Sequence, residues 1–347
     1  MSARDEAVGA PWTGGPAEGL GAALMAPPLG RYRVWIRPFH PTRCDEPWGG
    51  LWRQAFGRAL RRVCCQTRLR SCDPCPVREH CVYPYLLETR RGVEGLASRE
   101  PVPRPFILQV DAPQATALPA RPGKELCVGF VLVGRANLHL GLVTDALRRA
   151  SFYGLGPDRV RFQLLEVEME TSLGGGRWVS VARRDAVDPE ELPAPEPPPF
   201  PGAVRVRFAT PTRLKTGGRG IRPDTFRLGH LFGSLLRRLA LLRQFHAEGE
   251  PPEGVDSLLA LARTLEPERA ELRWESWLRP GRRHEGTVRM GGILGWLDIT
   301  DPRLEPLWPY LWMGQWIHVG RGTGMGLGRL ELAPLREDLR EEGARPA

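Results

Sequence analysis

"RYRVWIRPF", residues 31–39, alternates along its length and is rich in β-forming side chains, so it reads as a strand. The segments after it decide the fold. "GGLWRQAFGRALRRVC" (49–64) carries Leu51, Phe56, Leu60 and Val63 at helical spacing. "PRPFILQVD" (103–111) and "LCVGFVLVG" (126–134) read as strands. "LGLVTDALRRASF" (140–152) reads as a helix ended by Gly154 and Gly156, and "RVRFQLLEVEM" (159–169) as a further strand. The order is β-α-β-β-α-β, the ferredoxin-like pattern.

The order then repeats. "VDPEELPAPEPPPFPG" (187–202) is acidic and dense in proline, which marks an extended linker and a domain boundary. Beyond it, "VRVRFATPTRLK" (204–215) reads as a strand and "TFRLGHLFGSLLRRLALLRQFH" (225–246) as a helix, with a second helical stretch near 256–264. "ELRWESWLRP" (271–280) and "EGTVRMGGILGWLDI" (285–299) read as strands. "LEPLWPYLWMGQWIH" (304–318) is mostly helix despite Pro309, and "GRGTGMGLGRLEL" (320–332) is a glycine loop running into a last strand. The expected class is therefore α+β, with two tandem ferredoxin-like (RRM-like) domains. Residues 29–187 form the first, 188–202 the linker and 203–336 the second. Residues 1–28 form a disordered leading segment, and 337–347 a charged tail. No close residue-level repeat relates the halves, so any duplication lies in the order alone.

A chain of 347 residues accommodates two cores of this size. Its formal net charge is +9, its pI is about 9.6, and nearly all the basic side is arginine, with Lys124 and Lys215 the only lysines. A GC-rich coding bias accounts for arginine in place of lysine. It does not account for the excess over Asp and Glu, which favours phosphate-rich partners such as nucleic acid. No run reaches the ~18 apolar residues of a membrane helix. The first 27 residues lack a basic region followed by a solid apolar run, so no signal peptide is read. A cytoplasmic protein with no membrane partner is expected, where structural disulfides are rare.

That compartment makes "CQTRLRSCDPCPVREHC" (65–81) informative. Cys65, Cys72, Cys75 and Cys81 stand as C-x6-C-x2-C-x5-C, inserted after the first helix within residues 64–91. A C-x2-C pair lets two thiolates grip one metal from a tight turn, here stiffened by Pro74 and Pro76, and flanking cysteines close a four-sulfur cage. Zn2+ and a [4Fe–4S] cluster both fit. The spacing resembles the cluster loop of iron–sulfur DNA glycosylases, including the proline after the third cysteine, which favours iron–sulfur. Cys64 could replace Cys65, and His80 is an alternative ligand. The bland reading is a loop of unrelated thiols, which four in seventeen residues argues against. The cage is expected to be structural, because the loop has few apolar residues. It also carries Arg68, Arg70, Arg78, Arg90 and Arg91, a set suited to clamping phosphate.

"HVGRGTGMGLGRL" (318–330) sets Gly320, Gly322, Gly324, Gly326 and Gly328 at alternate positions, with Arg321 and Arg329 among them. Glycines allow positive φ and bring backbone N–H groups close to an anion. A Rossmann loop joins a strand to a helix, whereas this one joins a helix to a strand; no GK[ST] follows, which excludes Walker A. The bland alternative is a tight connection, but five alternating glycines exceed that need.

A glycine-rich loop after the last helix of a second ferredoxin-like domain resembles the RAMP superfamily of CRISPR-associated proteins. Within it, the chain is similar to the pre-crRNA-processing endoribonuclease family. The resemblance spans roughly residues 30 to 335 and rests on five blocks in order: "CDPCPVREHCVYPYLLE", "LVGRANLHLGLVTDALRRASFYGLGPDRVRFQL", "FATPTRLKTGG", "MGGILGWLDI" and "HVGRGTGMGLGRLEL". It implies two domains facing across a cleft, a glycine loop approaching CRISPR repeat RNA, and metal-independent cleavage to mature crRNA that leaves a 2′,3′-cyclic phosphate. It also implies a histidine near the first helix. His40, in "RPFHPTR" beside Arg37 and Arg43, matches by position, though it stands in the loop before the helix. As a bland reading it is a solvated loop histidine. His318 is the rival, expected to face the cleft because it precedes the glycine loop, or else to cap its helix. Lys215 or Arg213 would steady transition-state charge. His139, His230, His246 and His284 read as structural or surface. Two other functions stay open: a non-catalytic RAMP subunit that holds crRNA within a CRISPR effector complex, and an iron–sulfur DNA-repair enzyme. The early cysteines, the β-α-β-β-α-β order and the lack of a helix-hairpin-helix stretch weigh against the last.

Overall fold

The computed structural model describes residues 26–40, 48–88, 102–110, 125–156, 158–249, 254–280 and 287–335. The first domain runs β1 (Leu29–Pro38), α1 (Trp48–Cys64), α2 (Val82–Leu87), β2 (Phe106–Gln109), β3 (Leu126–Val133), α3 (Leu140–Tyr153), β4 (Phe162–Glu170) and β5 (Trp178–Ser180). Its antiparallel sheet has the order β2-β3-β1-β4-β5, so the ferredoxin-like arrangement carries β5 as an added edge strand. The cysteine segment lies between α1 and α2, and α2 is a short helix within the stretch expected to be loop. Cys44, Lys124 and His284, with Arg43, Arg90 and Arg91, lie outside the described residues, as do residues 1–25 and 336–347.

The second domain runs β6 (Val204–Thr212), β7 (Lys215–Thr216), β8 (Arg219–Gly220), α4 (Leu228–His246), α5 (Val255–Thr264), β9 (Arg269–Pro280), β10 (Thr287–Ile299), α6 (Trp308–Ile317) and β11 (Leu330–Pro334). Its sheet has the order β11-β6-β10-β9, again ferredoxin-like. Strand β6 stops at Thr212, short of the expected 215, because the chain turns there into the β7–β8 hairpin. Pro309 does not interrupt α6: it sits in the first turn, where its missing N–H costs nothing. The residues before it form a 3-10 segment, Pro302–Leu307.

Period-two alternation divides the first sheet between two cores. Tyr32, Val34 and Ile36 of β1, Phe106 and Leu108 of β2, and Val128, Phe130 and Leu132 of β3 pack with the inner faces of α1 and α3. Their neighbours Leu29, Ile107, Val131 and Val133 point the other way and join the core of the second domain, with Leu231, Leu235 and Leu239 of α4 and Trp312 of α6. Each fully buried side chain of this kind contributes about 1.5–3 kcal/mol of burial. The proline-rich segment is not a free spacer. Val187 and Leu192 pack into the first core, while the Pro198 carbonyl accepts a 2.6 Å hydrogen bond from Trp308 Nε1 of the second domain.

The glycine loop comes after α6 and lies on this seam. The Gly49 Cα at the start of α1 meets the Met325 carbonyl so closely that a Cβ would overlap it, and a Cβ on Gly326 would touch the Leu108 carbonyl at 3.3 Å. Gly326 and Gly328 are therefore turned to protein rather than solvent, which corrects their reading as RNA contacts: both are buried at positive φ (78° and 76°), and a Cβ on Gly328 would strike the Val319 carbonyl. His318 needs the same kind of correction. It is wholly buried, with Nδ1 donating to the Leu327 carbonyl at 3.2 Å, and does not face the cleft. Burial first, and then the charge of Arg329, push its pKa down to about 3.

The seam gives two expectations. Gly49→Val forces the Met325 backbone away and should cost about 1–3 kcal/mol of stability in urea unfolding. Gly50→Ala meets nothing within 4 Å and should be neutral or stabilising by up to about 1 kcal/mol. For His318, the folded ring stays neutral while the unfolded ring takes a proton below about pH 6.5. The unfolded state then binds more protons, so stability should fall as pH drops from about 6.5 toward 3, by about 1.4 kcal/mol per pH unit. Asparagine tolerates the positive φ of 56° at this position, so the slope in His318→Asn should be shallower by that amount. An equal slope in both proteins would refute the assignment.

Candidate nucleic-acid interface

An open cleft of about 850 Å3 lies where the glycine loop, α4 and the segment before β2 meet. Seven arginines (Arg104, Arg213, Arg227, Arg237, Arg238, Arg263 and Arg321) and Lys215 line it, and no Asp or Glu does among the described residues. So many cations in one concavity raise its potential and draw polyanions. Helix α4 supplies one wall at helical spacing: Arg227, before its first turn, then His230, Ser234, Arg237 and Leu241. Arg263 comes from α5, Arg104 from the chain leading into β2, and Lys215 from the exposed β7–β8 hairpin.

Arg238 holds the floor. Its Nε donates to the Ile317 carbonyl at 2.9 Å and its Nη2 to Thr323 Oγ1 at 3.0 Å, tying α4 to both ends of the glycine loop. Burial, and then Arg104, bear against its positive charge and lower its pKa. An anion in the cleft would relieve that strain. His230 caps α4: its Nδ1 accepts the Arg227 N–H at 3.1 Å, so the neutral ring carries its proton on Nε2. Burial, with Arg227 second, lowers its pKa.

The sequence-predicted residues divide into two groups. Arg213, Lys215, Gly320, Arg321, Gly322 and Gly324 come together in the cleft. Gly320 and Gly322 have positive φ, 78° and 91°, and the Arg321 N–H is spent on the Arg213 carbonyl at 3.0 Å, so the loop is braced against the chain leaving β6. The others lie elsewhere. Arg37 pairs with Glu125 at 2.9 Å, Arg329 with Glu331 at 3.5 Å, and His318, Gly326 and Gly328 are buried. His40 is exposed just past the end of β1, outside the cleft wall. Sequence reading missed Arg104, Arg227, His230, Arg237, Arg238 and Arg263. The spacing of Arg227, His230 and Arg237 along one helix was a usable signal, whereas Arg104 and Arg263 reach the cleft only through the tertiary fold.

The four cysteines Cys65, Cys72, Cys75 and Cys81 line one small cavity of about 20 Å3, and Cys64 does not. No group of three or more His, Cys, Asp or Glu side chains among the described residues already stands at metal-chelating geometry. No helix among them is long and apolar enough to cross a membrane.

Comparison with known proteins accords with this architecture. Residues 206–330 match the family model described as CRISPR-associated endoribonuclease Cas6, and residues 25–192 match one described as an N-terminal domain. No curated protein matches the sequence. Among solved structures, Thermus thermophilus Cas6 is 18% identical with a TM-score of 0.50, over 89% of this chain and 99% of that one. A partial Cas6-RT-Cas1–Cas2 complex is 13% identical with a TM-score of 0.52, over 91% of this chain and 48% of that one. At such identities the likeness speaks for the fold. The two family matches succeed one another in the order of the two domains, and the second domain, residues 206–330, is the part that matches the CRISPR-associated Cas6 family.

Proposed function

We propose that the protein binds CRISPR repeat RNA in the basic cleft and cleaves it by attack of a ribose 2′-OH on the adjacent phosphorus, without a metal ion. The observation that carries this reading is the cleft itself, with seven arginines, Lys215 and no carboxylate among the described residues that line it. Phosphate contacts of this density position a strand without reading its sequence. The reaction needs a base for the 2′-OH, an acid for the departing 5′-oxygen, and cations around the pentacoordinate phosphorus. The product is a 2′,3′-cyclic phosphate and a free 5′-OH.

Lys215, Arg213 and Arg321 supply the cations. His40 is the proposed proton-transfer group, because it is exposed and an imidazole carries both a proton donor and an acceptor nitrogen. It precedes α1 in the chain, and the start of α1 at Gly49 abuts the glycine loop at Met325. The complete burial of His318 weighs against it in the role. His230 is the histidine that the cleft wall presents, and it is the alternative. The placement of His40 outside that wall favours a second reading, in which the chain holds crRNA without cutting it.

His40→Ala should slow cleavage of repeat RNA in EDTA by about 10²–10⁴-fold with binding nearly unchanged. A 2′-deoxy nucleotide at the cut should abolish it. Normal cleavage by His40→Ala with loss in His230→Ala would move the role to His230. Tight binding with no cleavage by wild type would establish the non-cleaving reading. Arg321→Ala should weaken binding similarly across RNA sequences and make its salt dependence shallower by about 0.7 per lost contact. Unchanged affinity and slope would place the RNA elsewhere.

A further inference from the structure

The cysteine segment has no apolar core. Among residues 65–81 none is fully buried, and the only ones not exposed are Cys65, Thr67, Cys72, Cys75, Arg78 and Cys81. The segment has thus turned its thiols inward, while Leu69 and Val77 stand 40% and 39% exposed. A water-soluble loop gains little by burying cysteine in preference to leucine and valine. A shared ligand for sulfur supplies the missing gain.

The backbone is folded to the same end. The Cys65 N–H closes the last turn of α1 on the Arg61 carbonyl at 2.8 Å, which aims that thiol off the helix end. The Cys75 N–H turns back on the Cys72 carbonyl at 3.2 Å, and the Cys75 carbonyl accepts from the Arg78 N–H at 3.1 Å. The Cys81 N–H closes on the Arg78 carbonyl at 3.3 Å immediately before α2. Three separate pieces of chain therefore deliver four thiols to one cavity of about 20 Å3, room for a single ion. Arg61 and Arg78 share its wall. Arg61 also donates to the Leu69 and Arg70 carbonyls, and Arg78 pairs with Asp73 at 2.7 Å. The Arg61 guanidinium offsets part of the net negative charge that four thiolates place on a divalent ion, whereas the charge of Arg78 is met by Asp73 and by Glu88 at 3.9 Å.

We propose that Cys65, Cys72, Cys75 and Cys81 form a four-thiolate metal centre that holds the 65–81 segment folded between α1 and α2. Metal loading requires the cysteine side chains to turn from the cavity wall onto the ion, and Cys75 Sγ to leave its 3.4 Å contact with Thr67 Oγ1, since no such group among the described residues stands at chelating geometry as it is. Each thiol loses its proton to solvent as its bond to the metal forms. The size of the cavity favours zinc; an iron–sulfur cluster would use the same four sulfurs in an enlarged one. Cys64, next in sequence but outside the cavity, takes no part.

The test uses the full-length protein purified anaerobically without chelator. Expected are about one zinc per chain, or about four iron with labile sulfide and a brown colour, the two told apart by elemental analysis and absorption. Cys72→Ser with Cys75→Ser should lose at least about nine-tenths of that metal, while Cys64→Ser should retain it. Because the double variant risks failing to fold, wild type is also stripped with a chelator. Alkylation should then modify four additional cysteines, and trypsin should cut after Arg68 and Arg70 at least about 10-fold faster, both reversed by metal. The proposal is overturned if the protein neither retains metal nor gains thiol protection from added zinc, or if the double variant retains wild-type metal.

Discussion

One sheet with two occupied faces is the constraint on which the rest of the molecule depends. Strands β1, β2 and β3 cannot rotate or slip by one residue without exchanging the side chains packed under α1 and α3 for those packed on the second domain. The polar part of the outer face is specified as closely as the apolar part. Arg31 donates to Gln109 at 3.0 Å and to Glu170 at 2.9 Å, and its guanidinium lies over Trp178 at 5.1 Å and over Trp316 of α6 at 4.5 Å. Glu170, buried at the end of β4, also accepts the Gly174 and Gly176 N–H groups. A charge pair this deep is a weak source of net stability, but losing one partner would leave the other uncompensated. The arrangement therefore acts as a register lock between the domains.

That lock decides where the glycine loop goes. With α6 held on the first sheet through Trp316, the chain leaving α6 runs along the seam to meet β2 and the start of α1. Half of the loop is consumed there as close backbone packing, and only the part from Gly320 to Gly324 opens into the cleft. Alternating glycines thus serve two ends at once: approach of protein backbone to protein backbone on one side, and space for a phosphate on the other. Arg238 joins the two by holding the Ile317 carbonyl before the loop and Thr323 within it.

The cleft gathers positive charge that the folded chain must tolerate without its ligand. Seven arginines and Lys215 in one concavity repel each other, while burial first, and then Arg104, lower the pKa of Arg238 at its floor. Such a wall is stabilised by whatever anion fills it, which couples folding of the seam to occupancy of the cleft.

Both β-α-β-β-α-β passes are legible in the residues alone, since hydrophobic periods of two and of 3.6 are local properties that survive without tertiary context. The basic balance, the cysteine spacing and the alternation of glycines are legible too, because each is written in residue type and interval. Lys215, Arg213, Arg321, Gly320, Gly322 and Gly324 could be read as neighbours for the same reason: they lie on the hairpin and loop at the open edge of one domain. Tertiary packing was needed to seal His318 in a core, to turn Gly326 and Gly328 to protein contacts, and to set Cys65 rather than Cys64 in a cavity with the other three thiols. It was needed as well to bring Arg104, before β2 of the first domain, and Arg263, on α5 of the second, to one cleft wall. The physical reason is common to all of these. Burial and convergence are set by the packing of one domain's sheet face on another domain's helices, and no interval along the sequence records which residues that contact will cover.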